Sequence, residues 1–135
     1  MLDIADRLAI HELLALYGHL IDERRWSRLD EIMVPDLRYD ATDFDLGITH
    51  SLEELRTAWM SDKARHPLAH HATNIVVSED PDGTVRVLSK GIGVGYKGRV
   101  GSVTYRDVVV KTPDGWKFVE RVLALRAPDR IPDPS

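Results

Sequence analysis

The sequence predicts an α+β domain: three N-terminal helices packed on a strongly curved antiparallel sheet that encloses a pocket. Three observations carry this expectation. Apolar residues recur at helical spacing only in the first half of the chain. From Leu68 onward the chain turns to β-branched runs punctuated by two Pro-Asp-Gly turns. Within those runs, Gly91, Gly93 and Gly95 alternate along one strand and leave one of its faces bare, as a bend or a face kept open for a ligand would require.

The first helix is read from Asp3 to Glu23. Leu8, Ile10, Leu13, Leu14, Leu16, Tyr17, Leu20 and Ile21 form its apolar stripe, and Asp3 and Asp6 sit at the positive end of its dipole. A second stripe, His11, Ala15, Gly18 and Asp22, is small in the middle and ends on an acid, so another element can approach it closely. Tyr17 and Asp22 are about 140° apart around an ideal helix, so both reach one cavity only if it is wide or the helix end loosens. Trp26 to Met33 reads as a short second helix, ended by Val34-Pro35-Asp36. Leu37 to Ala41 follows as a short strand and residues 43 to 50 as a loop. Ser51-Leu52-Glu53-Glu54 is a capping box opening a third helix, which stops near Arg65-His66-Pro67. Four strands in a meander complete the domain: Ala69 to Ser78, Thr84 to Tyr96, Gly101 to Lys111 and Trp116 to Leu125. The domain is expected to span residues 1–126, with 127–135 as a Pro-rich tail.

Composition narrows the function. The chain has 135 residues, is 43% hydrophobic and 30% charged, and carries a net charge of −4. Its basic residues are scattered, so no nucleic-acid footprint is expected. No apolar run is long enough for a membrane span, and the acidic N-terminus does not resemble a signal peptide, so a cytoplasmic protein is expected. Cysteine is absent, which removes thiol chemistry and leaves any metal to His, Asp and Glu.

Several short motifs then fall in a recognisable order: Tyr17, Asp22 and Trp26; Leu29; Asp36-Leu37-Arg38-Tyr39-Asp40; His70-His71-Ala72-Thr73-Asn74; Tyr105-Arg106-Asp107; and Asp114-Gly115-Trp116-Lys117-Phe118 with Arg121. In this order and spacing the chain resembles the SnoaL-like group of the nuclear transport factor 2-like (NTF2-like) superfamily over nearly its whole length. Scytalone dehydratase, bile-acid 7α-dehydratase and hexachlorocyclohexane dehydrochlorinase are the functional relatives it brings to mind. The resemblance implies a cone-shaped fold and an Asp–His dyad inside the cone. The Asp is Asp22. The His is His70 if the His-x-x-x-Asn frame is aligned, and His71 if the frame is counted back from Ile75. Adjacent strand residues face opposite ways, so only one can be the partner. Tyr17 matches a dehydratase site position. The later strand acid of the bile-acid enzyme falls among Gly91, Gly93 and Gly95 and has no counterpart here.

With such a dyad, the carboxylate fixes the imidazole tautomer and its free nitrogen removes a proton from carbon, with no cofactor and no metal. Neighbouring strand histidines cannot both address one ion, which disfavours a metal site. The bland readings stand beside this one. Asp22 could pair only with Arg24 or Arg25, His70 or His71 could be a wall histidine, and Tyr17 fits the core as well as a site. Tyr39, Tyr105, Asp107 and Trp59 complete the candidate substrate-binding set, although the three tryptophans also suit packing, and Asp107 could equally pair with an arginine at a subunit contact. The leading expectation is a lyase or isomerase of dehydratase or dehydrohalogenase type acting on a small apolar cyclic molecule, as a homodimer or homotrimer. The alternative is a non-catalytic binding or assembly module of the same fold, like the β subunit of aromatic-ring dioxygenases.

Overall fold

A computed structural model describes residues 1–134. Helix α1 spans Ile4–Asp22. Asp3 caps it: its side chain accepts from the Asp6 amide at 2.7 Å, and the Asp6 side chain reaches back to the Asp3 amide. Asp6 also accepts from Lys111 Nζ and the Trp116 indole, which ties the helix start to the far hairpin. Ile10, Leu14, Leu20 and Ile21 are buried, whereas Leu8, expected on the same stripe, is exposed.

The second helical segment is a single 3₁₀ stretch, Trp26–Glu31, and not the α-helix to Met33 that its periodicity suggests. Met33 already opens strand β1, Met33–Asp40. Pro35 lies within that strand, and the register against its neighbour jumps between Met33 and Arg38. A proline has no amide proton to give the ladder, so the chain bulges around it. After the two-residue strand β2, Ile48–Thr49, helix α2 covers Leu52–Met60. Ser51 Oγ accepts from the Glu54 amide at 3.1 Å as the capping motif predicts, but α2 ends at Met60, five residues before Arg65, with Ser61 beyond it in an extended conformation.

Strands β3 (Ala69–Glu79), β4 (Val85–Val94), β5 (Val100–Thr112) and β6 (Gly115–Arg126) form the antiparallel meander. Strand β1 joins it by pairing parallel with β6, which gives a six-stranded curved sheet in the order β2-β1-β6-β5-β4-β3. Helix α1 lies against the inner face of this mixed α+β arrangement. Its approach to β3 is close: a Cβ built on Gly18 would stand 2.9 Å from the His70 carbonyl oxygen. The core gathers α1 residues with Leu29, Ile32, Met33, Leu37, Leu52, Leu55, Val87 and Phe118. Beyond β6, Arg130 pairs with Asp43 at 3.1 Å.

Candidate functional site

Asp22 is the last residue of α1 and His70 the second of β3, and the Gly18 contact brings these two ends together. One carboxylate oxygen of Asp22 accepts the His70 amide at 3.0 Å, and the other meets His70 Nδ1 at 2.6 Å. An ionised carboxylate can only accept, so this bond places the imidazole proton on Nδ1 and the lone pair on Nε2. Nε2 has no partner among the described residues, and His70 lines a cavity of about 560 Å³.

His71 is exposed and does not line this cavity, so it drops from the candidate set. The reason is a bulge. The β3–β4 register shifts between Thr73 and Val76, where Asn74 takes the left-handed conformation at φ 55°. One extra residue reverses the inside–outside alternation, so counting back from Ile75 lands on the wrong face.

Tyr17, Tyr39, Tyr105 and Trp59 all line the same cavity. Tyr17 is also core, only 4% exposed, so it is both wall and packing. The phenol oxygens of Tyr17 and Tyr39 are 2.6 Å apart, and the Tyr17 ring stands edge-on to the His70 ring with centroids 6.1 Å apart. Trp59 meets Tyr17 and Tyr39 in edge-to-face contacts, so its packing and its place in the wall are one role. Burial raises the pKa of all three tyrosines, most clearly Tyr39 and Tyr105, against the pull of the Arg121 charge. They remain protonated donors at neutral pH.

Asp107, expected in the substrate-binding set, does not line this cavity. It is buried and forms a two-pronged pair with Arg121 of the same chain, at 2.8 and 2.9 Å. Its carboxyl is raised by burial, which outweighs the guanidinium beside it. Burial likewise opposes the Arg121 charge, but Asp107 more than compensates and Arg121 stays ionised. The guanidinium is stacked 4.1 Å from the Tyr17 ring centre and 3.7 Å from that of Tyr105, and its Nη1 has no partner among the described residues. Arg121 thus lies directly behind the phenols, a placement that reading the sequence for site residues missed. The signal was available: Asp107 and Arg121 face each other across the hairpin that turns at Asp114-Gly115.

His66 was missed as well. It lies in the loop after α2, lines the cavity, and its Nε2–H donates to the Trp59 carbonyl at 2.9 Å. Its ring is 5.1 Å from that of Trp26. Burial lowers its pKa and outweighs the bond to the Trp59 carbonyl, which favours the charged ring, while the nearby Arg24 charge acts in the same direction as burial.

Of the three alternating glycines, Gly91 is not open. A Cβ there would collide with the Tyr105 ring at 2.3 Å, so that ring occupies the space. Gly93 and Gly95 do border the cavity, whose deeper wall includes Ile21, Val103, Leu123 and Leu125. Among the described residues, no three His, Asp or Glu side chains are grouped to hold a metal ion, and no helix is long and apolar enough to cross a membrane.

Residues 3–122 match the model of the SnoaL-like domain. An uncharacterized protein of Mycobacterium tuberculosis (strain H37Rv) is 33% identical over 127 residues, covering 89% of this chain and 85% of that protein. Three solved structures from Novosphingobium aromaticivorans are similar. A provisionally named aromatic ring hydroxylase has a TM-score of 0.71 and 26% identity, covering 95% of this chain and 94% of its own. An NTF2-like protein with a cystatin-like fold has a TM-score of 0.73 and 25% identity, covering 93% and 84%. A provisionally named scytalone dehydratase has a TM-score of 0.70 and 21% identity, covering 92% and 86%, and bears on the fold alone.

Proposed function

The chain belongs to the SnoaL-like domain family of the NTF2-like superfamily, and from that premise we propose that it is a cofactor-independent lyase or isomerase of dehydratase or dehydrohalogenase type. Its substrate is a small, largely apolar cyclic molecule held in the pocket of a cone-shaped domain. The observation that carries this reading is the 2.6 Å contact of Asp22 with His70 Nδ1, which leaves Nε2 unpartnered at the cavity.

In the forward step, His70 Nε2 takes a proton from a carbon next to an electron-withdrawing group. The released electron pair forms the carbon–carbon double bond as the leaving group departs from the neighbouring carbon. In a dehydration, the imidazolium returns its proton to the leaving hydroxide, so water is lost and the base is regenerated. In a dehydrohalogenation, halide leaves and the proton passes to solvent. Asp22 stabilises the transient imidazolium. One proton of the Tyr17–Tyr39 pair is committed to the other phenol, so the remaining proton of that pair and the protonated Tyr105 phenol are the donors available to an oxyanion developing on the electron-withdrawing group. We assign the working form as a homodimer or homotrimer, a reading favoured by exposed Val76, Leu88 and Ile92 on the sheet.

The test is turnover of a panel of cyclic β-hydroxy carbonyl and halogenated substrates. His70→Ala is expected to lose about 10²–10⁴-fold in rate, Asp22→Asn to fall between it and wild type, and His71→Ala to stay within about twofold. Wild-type turnover in His70→Ala sinks the mechanism. The second reading is a non-catalytic binding or assembly module of the same fold. It predicts binding of the panel with no turnover in any variant.

A further inference from the structure

The charged side chains that line the cavity are basic, whereas the chain as a whole is acidic. Asp and Glu outnumber Lys and Arg by 22 to 18, for a net charge of −4. Yet no Asp or Glu lines the cavity among the described residues, whereas Arg65 and Arg99 do, and the Asp22 carboxylate lies behind His70, bonded to its Nδ1. Arg65 sits in the loop between α2 and β3, and Arg99 in the hairpin between β4 and β5. Neither has a carboxylate partner among the described residues, and the one polar contact of the Arg65 side chain is a long one, 3.5 Å to the Asp62 carbonyl. The nearby acid Asp43, which flanks the lining residue Phe44, is engaged by Arg130 and by the Leu125 amide. The other flanking acid, Asp45, does not border the cavity. Deeper in, the wall is aliphatic and aromatic. A groove with cations at its rim and a low-dielectric wall behind them concentrates field lines and draws anions, even on an acidic protein.

We propose that Arg65 and Arg99 form an anion subsite of this cavity, so that the ligand is an apolar ring body carrying one anionic substituent. The ring occupies the aliphatic and tyrosine-lined interior, and the anion stays at the rim within reach of both guanidinium groups. The inference rests on the same cavity as the reading above and narrows its substrate class. It concerns binding alone and does not require His70 to be a base.

Two probes with the same aryl-naphthyl body test it without knowledge of the substrate: 1-anilinonaphthalene-8-sulfonate, an anion, and N-phenyl-1-naphthylamine, which is neutral. Binding is read from probe emission, at low and at 0.3 M salt, with circular dichroism to check the fold. The wild type is expected to bind the sulfonate at least tenfold more tightly than the neutral probe, with only the sulfonate weakened by salt. Arg65→Gln/Arg99→Gln is expected to lose that preference while holding the neutral probe within about twofold. Arg99 is exposed, so Arg99→Gln alone keeps the fold and is expected to weaken the sulfonate at least threefold. The readout is binding alone and stands whether or not the wild type turns over the substrate panel, which separates this inference from the proposed chemistry. Equal affinity of the wild type for the two probes, an unchanged preference in either arginine variant, or failure to bind either probe overturns the proposal.

Discussion

At the scale of single residues, the site depends on what is missing at position 18. A methyl group there would be 2.9 Å from the His70 carbonyl oxygen, and that neighbour is backbone, which yields poorly. Gly18→Ala is expected to push β3 away from α1 and cost about 1–3 kcal/mol in urea unfolding, with a loss of activity beyond what the lower stability explains. Unchanged stability would show that the strand can give way. The small stripe of His11, Ala15, Gly18 and Asp22 was legible in the sequence because helical spacing fixes which residues share a face. The choice between His70 and His71 was not. It turns on a left-handed Asn74, and asparagine adopts that conformation without announcing it. Tyr17 shows a different limit: periodicity could not separate core from wall, since the residue serves as both.

At the scale of elements, the Asp107–Arg121 pair joins β5 to β6 beneath the phenols. Removing one partner strands a charge in the interior, so Asp107→Ala is expected to cost about 3–5 kcal/mol. Replacing both, as Asp107→Leu/Arg121→Met, is expected to recover most of that loss, because well-packed apolar residues often match a buried ion pair. Chemical denaturation of the single and double variants decides this, and a double variant no more stable than the single one would refute it. Alternation and the hairpin turns made the four long strands readable in sequence. The short elements were not. Trp26–Glu31 carries a helix-like apolar pattern but closes as a 3₁₀ segment, and β1 begins before the proline that was expected to precede it. In both, tertiary contacts of Leu29, Ile32 and Met33 with the core decide the backbone. The end of α2 was misplaced for a related reason: residues beyond Trp59 and Met60 offer no buried apolar side chain to extend it.

At the scale of the whole molecule, His66 holds the loop after α2 to the helix that precedes it, in a setting that favours the neutral ring. Its folded pKa lies below the ordinary value of 6.5, so between the two the unfolded chain binds more protons. The contribution of this group to stability is therefore present above pH 6.5 and is lost as the pH falls from there through the folded pKa. Urea midpoints measured from pH 7 to pH 5 are expected to fall more steeply for the wild type than for His66→Gln. Parallel slopes would remove His66 from the account.

The sheet order has a consequence in time as well as in space. Strand β1 is among the first elements of the chain, yet its parallel partner is the last strand, with Tyr39 opposite Arg121 and Asp40 opposite Val122. Until β6 is available, β1 has only the two-residue β2 to pair with, and α1 has no Phe118 to cover. Contacts this distant in sequence slow folding, because a long loop must close before anything is gained. A nascent chain therefore completes its sheet only after Arg126 has left the ribosome.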